Sequence, residues 1–176
     1  MEILKFDPTT MDLNSYAAHI HELNLKWWTN ADGTLKELDK GERFMLMVSE
    51  LAEALEGDRK SLADDKLPQY PMIWVELADC VIRVLDSGNV YQWNFEIEGY
   101  ENVLLICYAK TVGAALFNIV DQLVQLADNE LKNDNTEASK WAVGIVLNCL
   151  NLAEALGCPS DRDWETEPHQ RFLHSK

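Results

Sequence analysis

Apolar residues in this chain recur at α-helical spacing over most of its length, and that periodicity restricts the fold more than any other feature. The clearest stretch carries Phe44, Met47, Val48, Leu51, Ala52 and Leu55, an i, i+3, i+4 pattern that lines one face. A stripe of this kind must be buried against a neighbour, so one amphipathic helix implies others. Helix 1 is expected from about Asp12, a natural N-cap, to Trp28, before the turn-rich Thr29-Asn30-Ala31-Asp32-Gly33. Helix 2 is expected from about Lys40 to Gly57, with the glycine as a left-handed stop. Asp58 to Pro71 is polar, carries Pro68 and Pro71, and reads as a loop. Helix 3 then runs from about Met72 to Asp86, with Gly88 just past its end.

Asn89 to Gly99 alternates in part through Val90, Tyr91, Trp93, Phe95 and Ile97, but no second segment offers a strand to pair with, so an ordered loop is expected. Helix 4 covers about Glu101 to Leu131, with a bend at Gly113, and Asn133-Asp134-Asn135 breaks it. Helix 5 covers about Thr136 to Leu156, ended by Gly157 and Pro159. Short links between long helices make antiparallel neighbours, so the expected fold is all-α, an antiparallel helical bundle of about five helices. One domain over residues 1–160 and an acidic tail over 161–176 follow, and with 47% apolar residues the 176-residue chain can bury a substantial core.

Charge narrows the function. Fifteen Lys and Arg stand against 30 Asp and Glu, a net charge of -15. A nucleic-acid polymer is excluded as a partner, because phosphate neutralisation needs clustered Lys and Arg, and an anionic membrane surface would repel the chain. A small phosphate ligand stays open if a divalent metal bridges it to carboxylates. Met1 to Thr10 has no apolar run of the signal-peptide kind, and the longest apolar run, Val103 to Ala109, is too short to span a bilayer. Cys80, Cys107, Cys149 and Cys158 show no CxxC pair and no zinc-finger spacing, so reduced thiols in a cytoplasmic protein are expected.

The chemistry concentrates in two acid-x-x-acid pairs, Glu50 with Glu53 on helix 2 and Glu76 with Asp79 on helix 3. Residues three apart share a helix face, so each pair points one way, and like charges at that spacing repel. If the two helices pack as a hairpin, four carboxylates converge. Buried without a counter-charge they would be costly, whereas a hard cation such as Mg²⁺ takes oxygen ligands and keeps waters for substrate phosphates. A solvated acidic face is the alternative reading. A di-iron centre would use Glu-x-x-His motifs, but His19, His21, His169 and His174 all lie outside helices 2 and 3. The oxygen-only set favours magnesium.

The wording around these acids resembles that of a known family. Gly41-Glu42-Arg43-Phe44, Val48-Ser49-Glu50-Leu51-Ala52-Glu53-Ala54-Leu55-Glu56-Gly57, Arg59-Lys60, Asp64-Asp65, Leu67-Pro68 and Val75-Glu76-Leu77-Ala78-Asp79-Cys80-Val81-Ile82-Arg83 are similar to the MazG-like nucleoside triphosphate pyrophosphohydrolases. The resemblance covers about Trp27 to Gly88. It implies an all-α fold and Mg²⁺-dependent cleavage of an NTP or dNTP to the monophosphate and pyrophosphate, with Mn²⁺ as a substitute. It also implies that Glu50, Glu53, Glu76 and Asp79 are the metal ligands, and it supports a homodimer or higher homo-oligomer.

Within that chemistry Glu50 or Glu53 could orient or deprotonate the attacking water. Lys26, Arg59, Lys60 and Arg83 are the nearest cations for phosphate oxygens. Arg83 follows Asp79 by four residues, so an i, i+4 ion pair is its other reading, and Arg59 and Lys60 also read as a solvated pair beyond a helix stop. Trp27 and Trp28 are adjacent and cannot both face the core, so one is a candidate to stack on a base, with a subunit contact as the alternative. Asn24, one turn earlier, could read a base edge. Two other functions stay open: a non-catalytic helical partner-binding or regulatory module that kept the acids, and a relative specific for dUTP or a modified nucleotide.

Overall fold

The computed structural model describes residues 12–96 and 109–159. They form five helices: α1 (Leu13–Trp28), α2 (Lys40–Lys60), α3 (Met72–Tyr91), α4 (Val112–Leu131) and α5 (Asn135–Ala155). Extended pairing among the described residues is limited to two isolated bridges, Thr29 with Leu35 and Ala63 with Pro71, so the fold is all-α. Side chains start four of the helices. Asp12, Asp39, Thr111 and Asp134 each accept from the backbone N–H three residues on, satisfying donors that a helix start leaves unpaired.

Helix α3 is the centre of the bundle. It packs on α2 most extensively and also meets α1 and α5, while α4 pairs with α5 and touches α2. Its inner positions Leu77, Cys80 and Val84 join Met47, Leu51 and Ala54 of α2, Ile119, Leu123 and Leu126 of α4, and Val143 and Val146 of α5 in one continuous core. Two carboxylates fasten the edges of this core to tryptophan N–H groups. Trp28 Nε1 donates to Asp86, 2.9 Å from each carboxylate oxygen, tying the end of α1 to α3. Trp93 Nε1 donates to Glu130 at 2.7 Å, and Lys40 Nζ donates to the other oxygen of Glu130 at 2.6 Å, joining the start of α2 to the end of α4. A buried carboxylate with two strong donors avoids most of the penalty it would otherwise carry.

The expected helix ends were wrong at both glycines. Helix α2 does not stop at Gly57 but continues to Lys60, and Ser61 takes the left-handed conformation at φ 51°. Helix α3 runs through Gly88 to Tyr91, where Gln92 turns left-handed at φ 62°. Both glycines serve close approach instead of termination. A Cβ on Gly57 would stand 2.9 Å from Met72 Cβ, and one on Gly88 would stand 2.3 Å from Phe95 Cζ. Asn89 to Tyr91 is therefore helical, and the chain then folds back so that Trp93 and Phe95 are buried against Gly88.

Helix α4 begins at Val112, so Gly113 lies in its first turn. Residues 101–108 of the expected longer helix lie outside the described residues, as do Ile97 to Gly99, the tail over 161–176, Cys107, His169 and His174. The described cysteines, Cys80, Cys149 and Cys158, are free thiols. No helix among the described residues is long and apolar enough to cross a membrane.

Alanine is the better helix former by about 1 kcal/mol. Gly88→Ala is nonetheless expected to destabilise the protein by about 1–3 kcal/mol, because the methyl group has no room beside Phe95. Urea denaturation followed by far-UV circular dichroism measures the difference. An unchanged or raised midpoint would contradict the packing described for this glycine.

Candidate functional site

The α2–α3 contact brings three acids together. Glu50 and Glu76 are each only 5% exposed, and Asp79 is half-buried beside them. One carboxylate oxygen from each lies within 4.8 Å of the other two. Their positions follow from helix geometry: Glu76 and Asp79 are one turn apart on α3, facing the stripe of α2 that carries Glu50. Glu53, one turn beyond Glu50, is exposed and outside this close group, although its charge still acts on Glu76.

Arg83 donates from Nε to Glu50 Oε1 at 2.6 Å, an ion pair that crosses from α3 to α2. Thus Arg83 does lie at the cluster, and its observed ion pair reaches the facing helix. One guanidinium does not neutralise three acids. Burial, the hydrogen bond with Glu50, and the charges of Asp79, Glu50 and Glu53 raise the Glu76 carboxyl to about 8 from its ordinary 4.5. An oxygen-only trio at this separation, with one member driven to hold a proton, is a donor set that a hard divalent cation would fit.

A cleft of about 690 Å³ opens beside the cluster, between α1, α2 and α3. Its α1 wall is Ile20, Leu23, Asn24 and Trp27, and its α2 wall is Arg43 and Leu46. Asp79, Ile82, Arg83, Asp86 and Ser87 form its α3 side, and Lys66 enters from the loop between α2 and α3. The volume suits a ligand of nucleotide size, and the lining mixes apolar walls with a few polar groups, as binding clefts commonly do.

The two tryptophans separate cleanly. Trp27 is 57% exposed and lines the cleft, available to a flat ligand. Trp28 is 4% exposed, with its N–H on Asp86 and the Arg43 guanidinium 4.2 Å above its ring. The expectation that Trp28 could bind substrate is therefore corrected: its ring is already covered and belongs to the core. Lys26 is exposed, with its ammonium 5.2 Å from the centre of the Trp27 ring, and does not line the cleft. Arg59 and Lys60 lie in the last turn of α2, exposed and outside the cleft lining, and Lys60 is ion-paired with Glu56 one turn back.

Sequence reasoning missed Asp86 and His21. Asp86 is 7% exposed; His21 Nδ1 lies 2.8 Å from its Oδ1, and Asn24 Nδ2 donates to its Oδ2 at 3.3 Å. The signal was present, since Glu76, Asp79, Arg83 and Asp86 continue one helix face at spacings of three and four. Arg43 and Lys66 were missed as cleft residues because they come from separate elements that only the fold brings together. No protein-family model, curated protein or solved structure matches this chain.

Metal-free protein should show the strain of the acid cluster in its pH dependence. Between about 4.5 and about 8 the folded state keeps a proton on Glu76 that the unfolded chain has released. The contribution of Glu76 to stability is therefore greatest below that window, falls as pH rises through it, and levels off above about 8. Denaturation midpoints in EDTA at a series of pH values measure this, with Glu76→Gln expected to flatten the slope. A midpoint that rises across the window would contradict the raised carboxyl.

Proposed function

We propose that the chain is a Mg²⁺-dependent nucleoside triphosphate pyrophosphohydrolase of the MazG-like kind, cleaving an NTP or dNTP to the monophosphate and pyrophosphate. The observation that carries this reading is the oxygen-only group of Glu50, Glu76 and Asp79 at the side of a nucleotide-sized cleft. The resemblance of Glu50-x-x-Glu53 and Glu76-x-x-Asp79 to that family's paired motifs supports the choice of reaction. Glu50, Glu76 and Asp79 would hold the cation. When bound, it would screen the triphosphate charge and lower the pKa of an attacking water.

The roles of this chain's own residues follow from their placement. Glu53 is exposed and free of the close group, so it is the better general base, taking a proton from water as the water oxygen attacks the α-phosphorus. The α–β anhydride bond breaks and pyrophosphate leaves with its electron pair. Arg83 holds Glu50 in place and presents the rest of its guanidinium to the cleft, where it can donate to phosphate oxygens. Trp27 offers its exposed face to the base, and Asn24, fixed by Asp86, offers an amide beside it.

Pyrophosphate and monophosphate release from a panel of canonical and modified NTPs and dNTPs, dUTP included, tests the reaction. Turnover with Mg²⁺ and none in EDTA is expected. Asp79→Asn is expected to remove most of it, and Glu53→Gln to lower kcat by roughly 10²–10⁴-fold with a small effect on KM. Orthophosphate and a diphosphate as products would overturn the bond assigned. No turnover of any nucleotide by folded, Mg²⁺-supplied protein would overturn the enzyme reading itself.

A further inference from the structure

We infer that Lys66 binds the terminal phosphates of the substrate and the pyrophosphate that leaves, an inference that rests on the pyrophosphohydrolase reading and gives the cleft a direction. Three cations line the cleft: Arg43, Lys66 and Arg83. Arg43 is engaged over the Trp28 ring and donates to Trp27 O at 3.4 Å, and Arg83 is paired with Glu50. Among the described residues the Lys66 ammonium makes no hydrogen bond or ion pair. In a chain of net charge -15, with Asp79 and Asp86 in the same cleft, a highly anionic ligand needs an available cation. A lysine is well suited to that task, as a mobile point charge able to follow phosphate oxygens.

The loop that carries Lys66 is built to hold its backbone still. Asp64 is 3% exposed, and its Oδ1 accepts from the N–H groups of Lys66 at 3.0 Å and Leu67 at 2.6 Å. Asp64 N donates to Tyr70 O at 3.0 Å, Tyr70 N to Leu67 O at 2.9 Å, and Met72 N to Leu62 O at 2.9 Å. The loop is thus closed on itself at the entry to α3, with the Lys66 side chain left to project. A fixed backbone reduces the ordering cost of binding to the motion of one side chain.

Position along α3 supplies the direction. The loop stands before the first turn of α3, Asp79 comes next, and Asp86 with Asn24 and Trp27 lies about 10 Å further along the helix. A nucleotide with its base at Trp27 and its α-phosphate beside Asp79 therefore sends its β- and γ-phosphates toward Lys66. That places the lysine on the leaving group.

The test compares full-length wild type, Lys66→Met and Lys66→Arg with the preferred triphosphate from the panel, in Mg²⁺. Steady-state kinetics are read together with product inhibition by inorganic pyrophosphate and by the matching monophosphate. For Lys66→Met, a loss of roughly 10–100-fold in kcat/KM is expected, with pyrophosphate inhibition weakened about as much. Monophosphate inhibition should stay within about twofold, and Lys66→Arg should recover much of the loss. Equal weakening of both products, or a Lys66→Met enzyme indistinguishable from wild type, would overturn the inference while leaving the reaction in place. A wild type that releases pyrophosphate from no triphosphate would overturn the underlying reading, and this one with it.

Discussion

Three carboxylates held within 4.8 Å of one another inside a helix–helix contact repel each other, and every other feature of the site follows from how the fold tolerates that repulsion. Core packing supplies the force that opposes it. Leu51 and Ala54 on α2 and Leu77, Cys80 and Val84 on α3 are all buried around the acids, and the contact between these two helices is the most extensive in the bundle. Hydrophobic burial at about 25 cal/mol per Å² makes such a contact strong enough to carry an unfavourable local charge. Gly57 lets the loop end of the hairpin close by giving Met72 room. Arg83 offsets part of the charge, and a proton on Glu76 offsets more in the absence of metal. What those two leave is a demand for positive charge that a divalent cation would meet.

The cleft turns that demand toward a ligand. Its side toward the acid cluster is Asp79 and Arg83, and its far end is organised by Asp86, which fixes Asn24, Trp28 and His21 in one network. Trp28 is buried in the scaffold, whereas Trp27, beside it on the last turn of α1, is exposed. Rigid elements thus carry the acids, and an exposed aromatic side chain lines the cleft beyond them. Helices α4 and α5 contribute no residue to the cleft lining and act by burying the opposite side of α2 and α3.

Much of this was legible in the sequence, and the failures have physical causes. The five helices could be read because their apolar periods are long and Asp12 marks the start of the first, whereas the Thr111 cap that starts α4 was passed over inside a longer apolar stretch. The paired acids could be read because a three-residue spacing fixes a shared face whatever the tertiary context. Gly57 and Gly88 misled because glycine favours helix ends, whereas here it is required for contact with Met72 and Phe95 inside helices. The true ends fall on Ser61 and Gln92, residues with no special preference for a left-handed turn, set there by the chain on either side. The ion pair from Arg83 to Glu50 spans 33 positions, and no local spacing predicts it. Lys66 and Arg43 were invisible as cleft residues for the same reason, since membership of a cleft belongs to three elements at once.

Glu50, Glu76 and Asp79 are proposed to form a divalent-cation site between α2 and α3. Anomalous diffraction from crystals soaked in Mn²⁺ tests it most directly, because the ion is located without reference to any activity. One strong peak is expected among Glu50, Glu76 and Asp79, with carboxylate oxygens at about 2.1 Å. That peak should vanish in Asp79→Asn crystals that otherwise superimpose on the wild type. Mn²⁺ bound elsewhere on the surface, with no peak among these three residues, would contradict the account.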